Sequence, residues 1–337
     1  MKHLLLVLLF ALSLTSAFAK TTSKAEGLQG FVTLKDGVKR YVDYVPAKGK
    51  NPTIVLANGL VYELSRWEVL RQELLKKGYG VVNYYMRGQF KTLSQEVKDS
   101  NGKPAFFQKG LVLSEMGEEI NGILDALNIK EPVVPVGLSY GAASVAEFVR
   151  LHPERVKTVF FMAPLVVPLD RYNSQGAWLY NNLEWIRMFW GSAVYDIAYD
   201  YIYRSYFNSS LIPEKIPEEM AGIEQAYKEA IFHLVRVTRD FDLKKYGFKN
   251  LPAQSVHFLL ANEDEKQAFD DQLESFVQTD VKARGSLVWL SEASHAVPDS
   301  KPLQAVEMIS RILDKDRALQ PSKLYHFDSK GLEEFAP

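Results

Sequence analysis

The chain contains no cysteine. That absence excludes disulfides, thiolate metal sites, iron–sulfur clusters and a cysteine nucleophile. It also excludes a lipid-modified cysteine behind an export signal. A surplus of charge of one sign is missing too: 40 Lys and Arg stand against 41 Asp and Glu, a formal net charge of −1. A nucleic-acid binder needs a basic excess to neutralise phosphates, so no nucleic-acid partner is expected. No His-Glu-x-x-His zinc run and no Gly-x-Gly-x-x-Gly dinucleotide run occurs, and no metal or cofactor is expected. What remains is ample core material, 47% hydrophobic residues over 337 positions, which argues against disorder as the main state.

The N-terminus reads as an address. Lys2 supplies positive charge, Leu4 to Leu14 is apolar, and Ala17-Phe18-Ala19 places small residues where a signal peptidase reads. Residues 1–19 are therefore expected to be a cleaved signal, and the product an exported protein, periplasmic or secreted. The alternative is an uncleaved anchor, but the apolar run falls short of the roughly 20 residues a spanning helix needs. No later stretch is apolar and charge-free enough to cross a bilayer, so no transmembrane segment is expected once the signal is removed.

From residue 30 onward, strand and helix patterns alternate. Phe31, Val32 and Leu34 precede Asp36-Gly37, and Val38, Tyr41, Val42 and Tyr44 follow, a hairpin signal. Short apolar runs at Thr53 to Ala57, Tyr79 to Tyr85, Val133 to Val136, Val156 to Met162, Val256 to Leu260 and Leu287 to Leu290 read as buried strands. Helical spacing fills residues 63–77, 114–127, 142–151, about 266–278 and 302–314. Strands separated by helices need crossovers, which make the strands parallel and cover both faces. The expected fold is α/β: a mostly parallel open sheet, helices on both faces, and an antiparallel opening hairpin. Residues 165–250 break the alternation. They lack a buried-strand signal and are crowded with aromatics, among them Trp178, Trp185, Phe189, Trp190, Tyr195, Tyr199 and Tyr201. An insertion of that length reads as a small helical domain rather than a loop. Residues 315–337 are polar without clear periodicity, either a loose tail or a surface strap.

The sharpest motif is Gly137-Leu138-Ser139-Tyr140-Gly141, between an apolar strand and a small-residue helix. A tight turn there strains the central residue and lifts its side chain above the sheet, and the flanking positions must be small to avoid the neighbouring strand and helix. The serine then sits where free N–H groups of a helix start favour developing negative charge. The plainer alternative is a glycine-rich turn with an ordinary N-cap serine.

Together with the order of the elements, this motif resembles the α/β-hydrolase fold superfamily, in its single-domain members with a helical cap, over about residues 30–314. The resemblance implies a core of residues 20–164 and 251–314 and a cap at 165–250. It also implies the chain order Ser, then Asp or Glu, then His. Ser139 is the expected nucleophile. Of the six histidines, His295 follows the last apolar strand, where the fold presents its base. The acid should follow Val256 to Leu260, in Ala261-Asn-Glu-Asp-Glu. The family spacing from a small residue selects Asp264, with Glu263 second. Oxyanion donors are expected at the backbone N–H groups of Tyr140 and Leu60, the latter in Asn58-Gly59-Leu60, which resembles the family's His-Gly-x element with Asn in place of His. Met86-Arg87-Gly88-Gln89 lacks the leading Asp and second Gly of a common family element, and Arg87 reads as structural.

The expected activity is that of an exported serine esterase acting on a small hydrophobic ester. A peptidase, lipase, thioesterase or carbon–carbon hydrolase on the same fold, or a non-catalytic protein binding a hydrophobic ligand or partner, are the alternatives. The cap aromatics serve either the pocket or the cap's own core. Nothing in the sequence sets the oligomeric state.

Overall fold

The computed structural model describes residues 27–167, 182–207, 225–264 and 268–335. The expected signal at 1–19, Trp178 of the insertion and Glu265 lie outside the described residues.

The opening hairpin forms as the alternation demands. β1 (Leu28–Thr33) pairs antiparallel with β2 (Lys39–Val45), and Val32, Val42 and Tyr44 turn inward. Next come β3 (Thr53–Ala57), α1 (Glu68–Lys76), β4 (Gly80–Tyr84), α2 (Phe90–Asp99), α3 (Ala105–Lys109) and α4 (Leu113–Ala126). They lead into β5 (Val134–Leu138), α5 (Gly141–Leu151) and β6 (Val159–Met162). Among the described residues of the insertion run two helices, α6 (Leu183–Phe207), bent at Gly191, and α7 (Gln225–Val237). The chain rejoins the sheet at β7 (Val256–Glu263) and continues through α8 (Phe269–Val277), β8 (Arg284–Ser294), α9 (Val297–Ser300) and α10 (Pro302–Leu313). β9 (Leu324–Asp328) and β10 (Gly331–Phe335) end it.

The ten strands form one sheet in the order β1-β2-β4-β3-β5-β6-β7-β8-β9-β10. Every pairing from β4 to β9 is parallel, and the outermost pairs at both edges are antiparallel. The α/β expectation holds, with two differences. The expected tail at 315–337 is, over its described residues up to 335, neither loose nor a strap, because Tyr325 and Phe327 are buried as β9 extends the parallel sheet beside β8. Residues 90–109, which show no long apolar periodicity, carry α2 and α3.

Both sheet faces are apolar. Ile54 and Leu56 of β3 face α1 and α10, through Leu70, Leu74, Val306 and Ile309. Val55 and Ala57 face α4 and α5, through Ile120, Ile123, Val145 and Phe148. The chain runs from β3 out to β4, then returns to place β5 on the other side of β3. That reversal is a topological switch point, which leaves a crevice beyond the carboxyl ends of β3 and β5.

Candidate active site

Two segments bordering this crevice are the turn after β5 and the loop after β3. Ser139 holds φ at +50°, an uncommon conformation for a non-glycine residue. The turn keeps it there: Ser139 N–H donates to the Met162 carbonyl at 3.1 Å, and the Ser139 carbonyl accepts from Ala142 and Leu165 at 3.0 Å each. The flanking glycines are needed for space. A Cβ on Gly137 would stand 2.8 Å from Ala142 Cα, and one on Gly141 would stand 2.2 Å from the Ala57 carbonyl oxygen. That second approach presses the start of α5 against the end of β3. A Cβ at Gly59 would in turn lie 3.7 Å from Ser139 Cβ, so the loop after β3 runs beside the serine.

His295 follows the end of β8. Its Nε2 lies 2.7 Å from Ser139 Oγ, and its Nδ1 lies 2.9 Å from Asp264 Oδ1. Ser139 and His295 are both buried, and the Asp264 side chain is 3% exposed. With the ring proton on Nδ1 facing the carboxylate, Nε2 offers a lone pair to the serine hydroxyl. The other carboxylate oxygen of Asp264 accepts from Gln272 Nε2 of α8 at 3.2 Å. Asn262 Oδ1 accepts from Ala293 N–H at 3.0 Å, tying the ends of β7 and β8 together. Glu263, the second candidate acid, is exposed at the end of β7.

Leu60 and Tyr140 donate their backbone N–H groups to no acceptor among the described residues. The loop carrying Leu60 is stapled by Asn58, which is fully buried. Its Nδ2 donates to the carbonyls of Tyr62 at 3.1 Å and Tyr84 at 3.2 Å, and its Oδ1 accepts from Trp67 Nε1 at 2.7 Å. Asn58 can therefore replace a histidine here because its amide satisfies three groups at once. The neighbouring 86–89 loop is also held through its backbone. Arg87 N–H donates to Glu119 at 3.0 Å and Gly88 N–H to Glu96 at 3.2 Å, with the buried Arg40 between the two carboxylates. Burial raises the Glu96 carboxyl above its usual range, against the pull of Arg40 and Arg87. Arg87 is structural as expected, its guanidinium 3.1 Å from Glu115.

The profile of the alpha/beta hydrolase family matches residues 54–308. The chain belongs to that family. The match runs from β3 into α10 and so takes in Ser139, Asp264 and His295. Solved structures of similar fold include an esterase from Thermogutta terrifontis, at 17% identity and TM-score 0.61, covering 86% of this chain and 99% of that one. An enol-lactonase from Burkholderia xenovorans aligns at 16% identity and TM-score 0.62, covering 84% and 99%. An esterase from Exiguobacterium antarcticum aligns at 16% and 0.61, covering 85% and 100%. At such identities the likeness is one of fold. No curated protein matches the sequence.

In this alpha/beta hydrolase the insertion packs over the loop after β3. Leu183, Tyr195, Tyr199 and Ile231 of α6 and α7 form one apolar cluster with Val61, Leu93 and Phe106. The phenol of Tyr140 reaches up to the Leu234 carbonyl of α7 at 2.9 Å. The aromatics of α6 divide: Tyr195 and Tyr199 are buried, whereas Trp185, Phe189, Trp190 and Tyr201 are 57–72% exposed. Among the described residues no group of three or more His, Cys, Asp or Glu is placed to hold a metal ion, and no helix is long and apolar enough to cross a membrane.

Among the described residues the remaining histidines lie elsewhere. His152 Nε2 lies 3.2 Å from a Glu118 carboxylate oxygen, His233 stacks on Phe107, and His257 is buried in the sheet. His326 bonds Ser291. Sequence reasoning missed Gln272 and the stapling role of Asn58. Gln272 lies one helix away from Asp264 and carries no motif, whereas Asn58 was visible as the odd residue in the family's His-Gly-x position.

Proposed function

We propose that this hydrolase is an exported serine esterase with Ser139 as nucleophile, His295 as general base and Asp264 as the group that orients the base. The alignment of Ser139, His295 and Asp264 at 2.7 and 2.9 Å carries the reading. His295 takes the hydroxyl proton as Ser139 Oγ attacks the ester carbonyl, and Asp264 stabilises the imidazolium that forms. The N–H groups of Leu60 and Tyr140 receive the oxyanion. The alcohol leaves with the proton from His295, and water activated by the same imidazole releases the acid. The described residues of 165–250 serve as a cap over the site. The apolar cluster they form with Val61 and Phe106 supports a hydrophobic acyl or alcohol group. The esterases and the lactonase of similar fold support an ester as the bond cleaved.

Labelling with a fluorophosphonate tests the nucleophile. Native protein should label at Ser139, and Ser139→Ala should lose both label and turnover of p-nitrophenyl esters while keeping its circular dichroism and melting temperature. Native protein that stays unlabelled at saturating probe ends the reading. Export is supported by Lys2, the apolar run and Ala17-Phe18-Ala19. It predicts a mature N-terminus at Lys20, which mass spectrometry of the protein recovered outside the cytoplasm checks. An intact Met1 there would refute cleavage.

A further inference from the structure

The triad alone does not fix how the base sits relative to the oxyanion donors. His295 rides on the loop between β8 and α9, and Leu60 rides on the loop after β3. These loops are more than 230 residues apart in sequence, yet one buried carboxylate joins them. Asp299 Oδ2 accepts from the Tyr62 hydroxyl at 3.0 Å and from Arg66 Nε at 2.7 Å, and Arg66 Nη2 binds the same oxygen. The Arg66 and Asp299 side chains are 6% and 5% exposed. Arg66 Cζ also lies 4.0 Å above the Tyr62 ring, so the two donors are packed on each other. Asp299 stands in α9, four residues after His295, and Tyr62 stands two residues after Leu60.

The geometry points to Asp299, with Arg66 and Tyr62, as a positioning clamp that fixes the His295 loop against the oxyanion loop. The proposal rests on the esterase reading of the same site and deepens it. A buried ion pair is poor evidence of added stability, since apolar packing often serves as well. What it supplies is direction: three donor atoms converge on one oxygen, and a slip of either loop breaks them together. Displacement of a reacting group by about 1 Å can cost about 100-fold in rate. The clamp therefore acts on the chemical step, whereas a merely structural pair would act on folding alone.

The test uses the full chain, p-nitrophenyl butyrate as substrate, and diethyl p-nitrophenyl phosphate as a titrant of competent sites. Asp299→Asn keeps the shape and removes the charge. Per titrated site, its kcat should fall by about 10- to 100-fold, with KM nearly unchanged and organophosphate inactivation slowed in parallel. Tyr62→Phe leaves the ion pair and should show the same pattern at a few-fold. Arg66→Lys keeps a cation without the fork and should lose less kcat than Asp299→Asn, again with KM nearly unchanged. Asp43→Asn breaks the remote pair between Arg71 and Asp43, 2.7 Å apart, and should lower the melting temperature with kcat unchanged. Wild-type kcat and inactivation rate in titrated Asp299→Asn would overturn the proposal. If that variant does not fold, wild-type values in Tyr62→Phe would overturn it equally. Native protein that the organophosphate never inactivates would remove the esterase reading and this proposal with it, an outcome distinct from labelled native protein with unaffected variants.

Discussion

Asp264 receives two donors on two oxygens, His295 Nδ1 at 2.9 Å and Gln272 Nε2 at 3.2 Å. A carboxylate accepts both, but an amide must turn its NH2 toward one of them. Asp264→Asn therefore either loses the Gln272 bond or forces His295 into the tautomer that presents N–H to Ser139. The expected result is a kcat reduced by about 10³–10⁴-fold, the scale seen when such an aspartate becomes an amide, with the fold retained. Steady-state kinetics on titrated enzyme checks it, and a loss below tenfold would contradict the role. The sequence makes Ser139 and His295 legible for different reasons. Ser139 is marked by flanking glycines that tolerate no Cβ, and His295 by elimination among six histidines together with its place after the last apolar strand. Asp264 is less legible. Three consecutive carboxylates look alike in sequence, and it is the family spacing from Ala261 that selects Asp264, whose side chain the end of β7 turns inward while that of Glu263 stays exposed.

Tyr140 connects the turn that carries Ser139 to the insertion. Its backbone N–H lies beside the serine, and its buried phenol holds the Leu234 carbonyl of α7. Burial raises the phenol well above its usual range, so it stays a neutral donor. Tyr140→Phe removes that bond and nothing of the backbone. The expected loss is about 1 kcal/mol of local docking, read as faster amide exchange over Gln225–Val237. KM for long-chain esters should rise several-fold while kcat on an acetyl ester stays the same. Unchanged exchange in that helix would show that the docking of α7 does not depend on this bond. Element by element, the sequence is most legible where a strand is buried on both faces, as in β3, β5 and β6, whose continuous apolar runs have few other readings. It is least legible at the edges. β9 shows only Tyr325 and Phe327 as fully inward residues, because this strand next to the β10 edge buries one face only, so its polar neighbours disguise it. The spacing of Phe90, Leu93 and Val97 is helical, but the surrounding polar residues of α2 hide it from a search for long apolar periodicity.

At the scale of the whole molecule, the order of alternating elements was enough to give the sheet and its two covered faces, because crossover chemistry allows few other arrangements. It gave no hint of how stability responds to pH, which depends on a group at the sheet's centre. The ring of His257 on β7 stacks on Phe160 of β6 at 5.3 Å, and its Nδ1 accepts from Ser286 N–H of β8 at 3.0 Å. Burial lowers its pKa from 6.5 to about 4, with a hydrogen bond to the Gln254 backbone opposing the shift. In the fold the ring is thus neutral at pH values where an unfolded chain would protonate it. The stability from this group is fully present above about pH 6.5 and is lost as pH falls toward about 4, where the folded form begins to protonate as well. Within that window the loss approaches about 1.4 kcal/mol per pH unit. Glu63 and Glu96 work in the other direction, since burial raises both carboxyls and the fold gains from them as pH falls. The net curve therefore mixes opposing groups, and the contribution of His257 has to be read as a difference. His257→Gln keeps an acceptor for Ser286 N–H and cannot titrate. Urea unfolding of both proteins from pH 7.5 to 4.5 should show the wild type losing ground to the variant steadily below pH 6.5. Parallel curves over that range would mean that the imidazole is protonated in the fold, and that a countercharge reaches it which neither Phe160 nor Ser286 supplies.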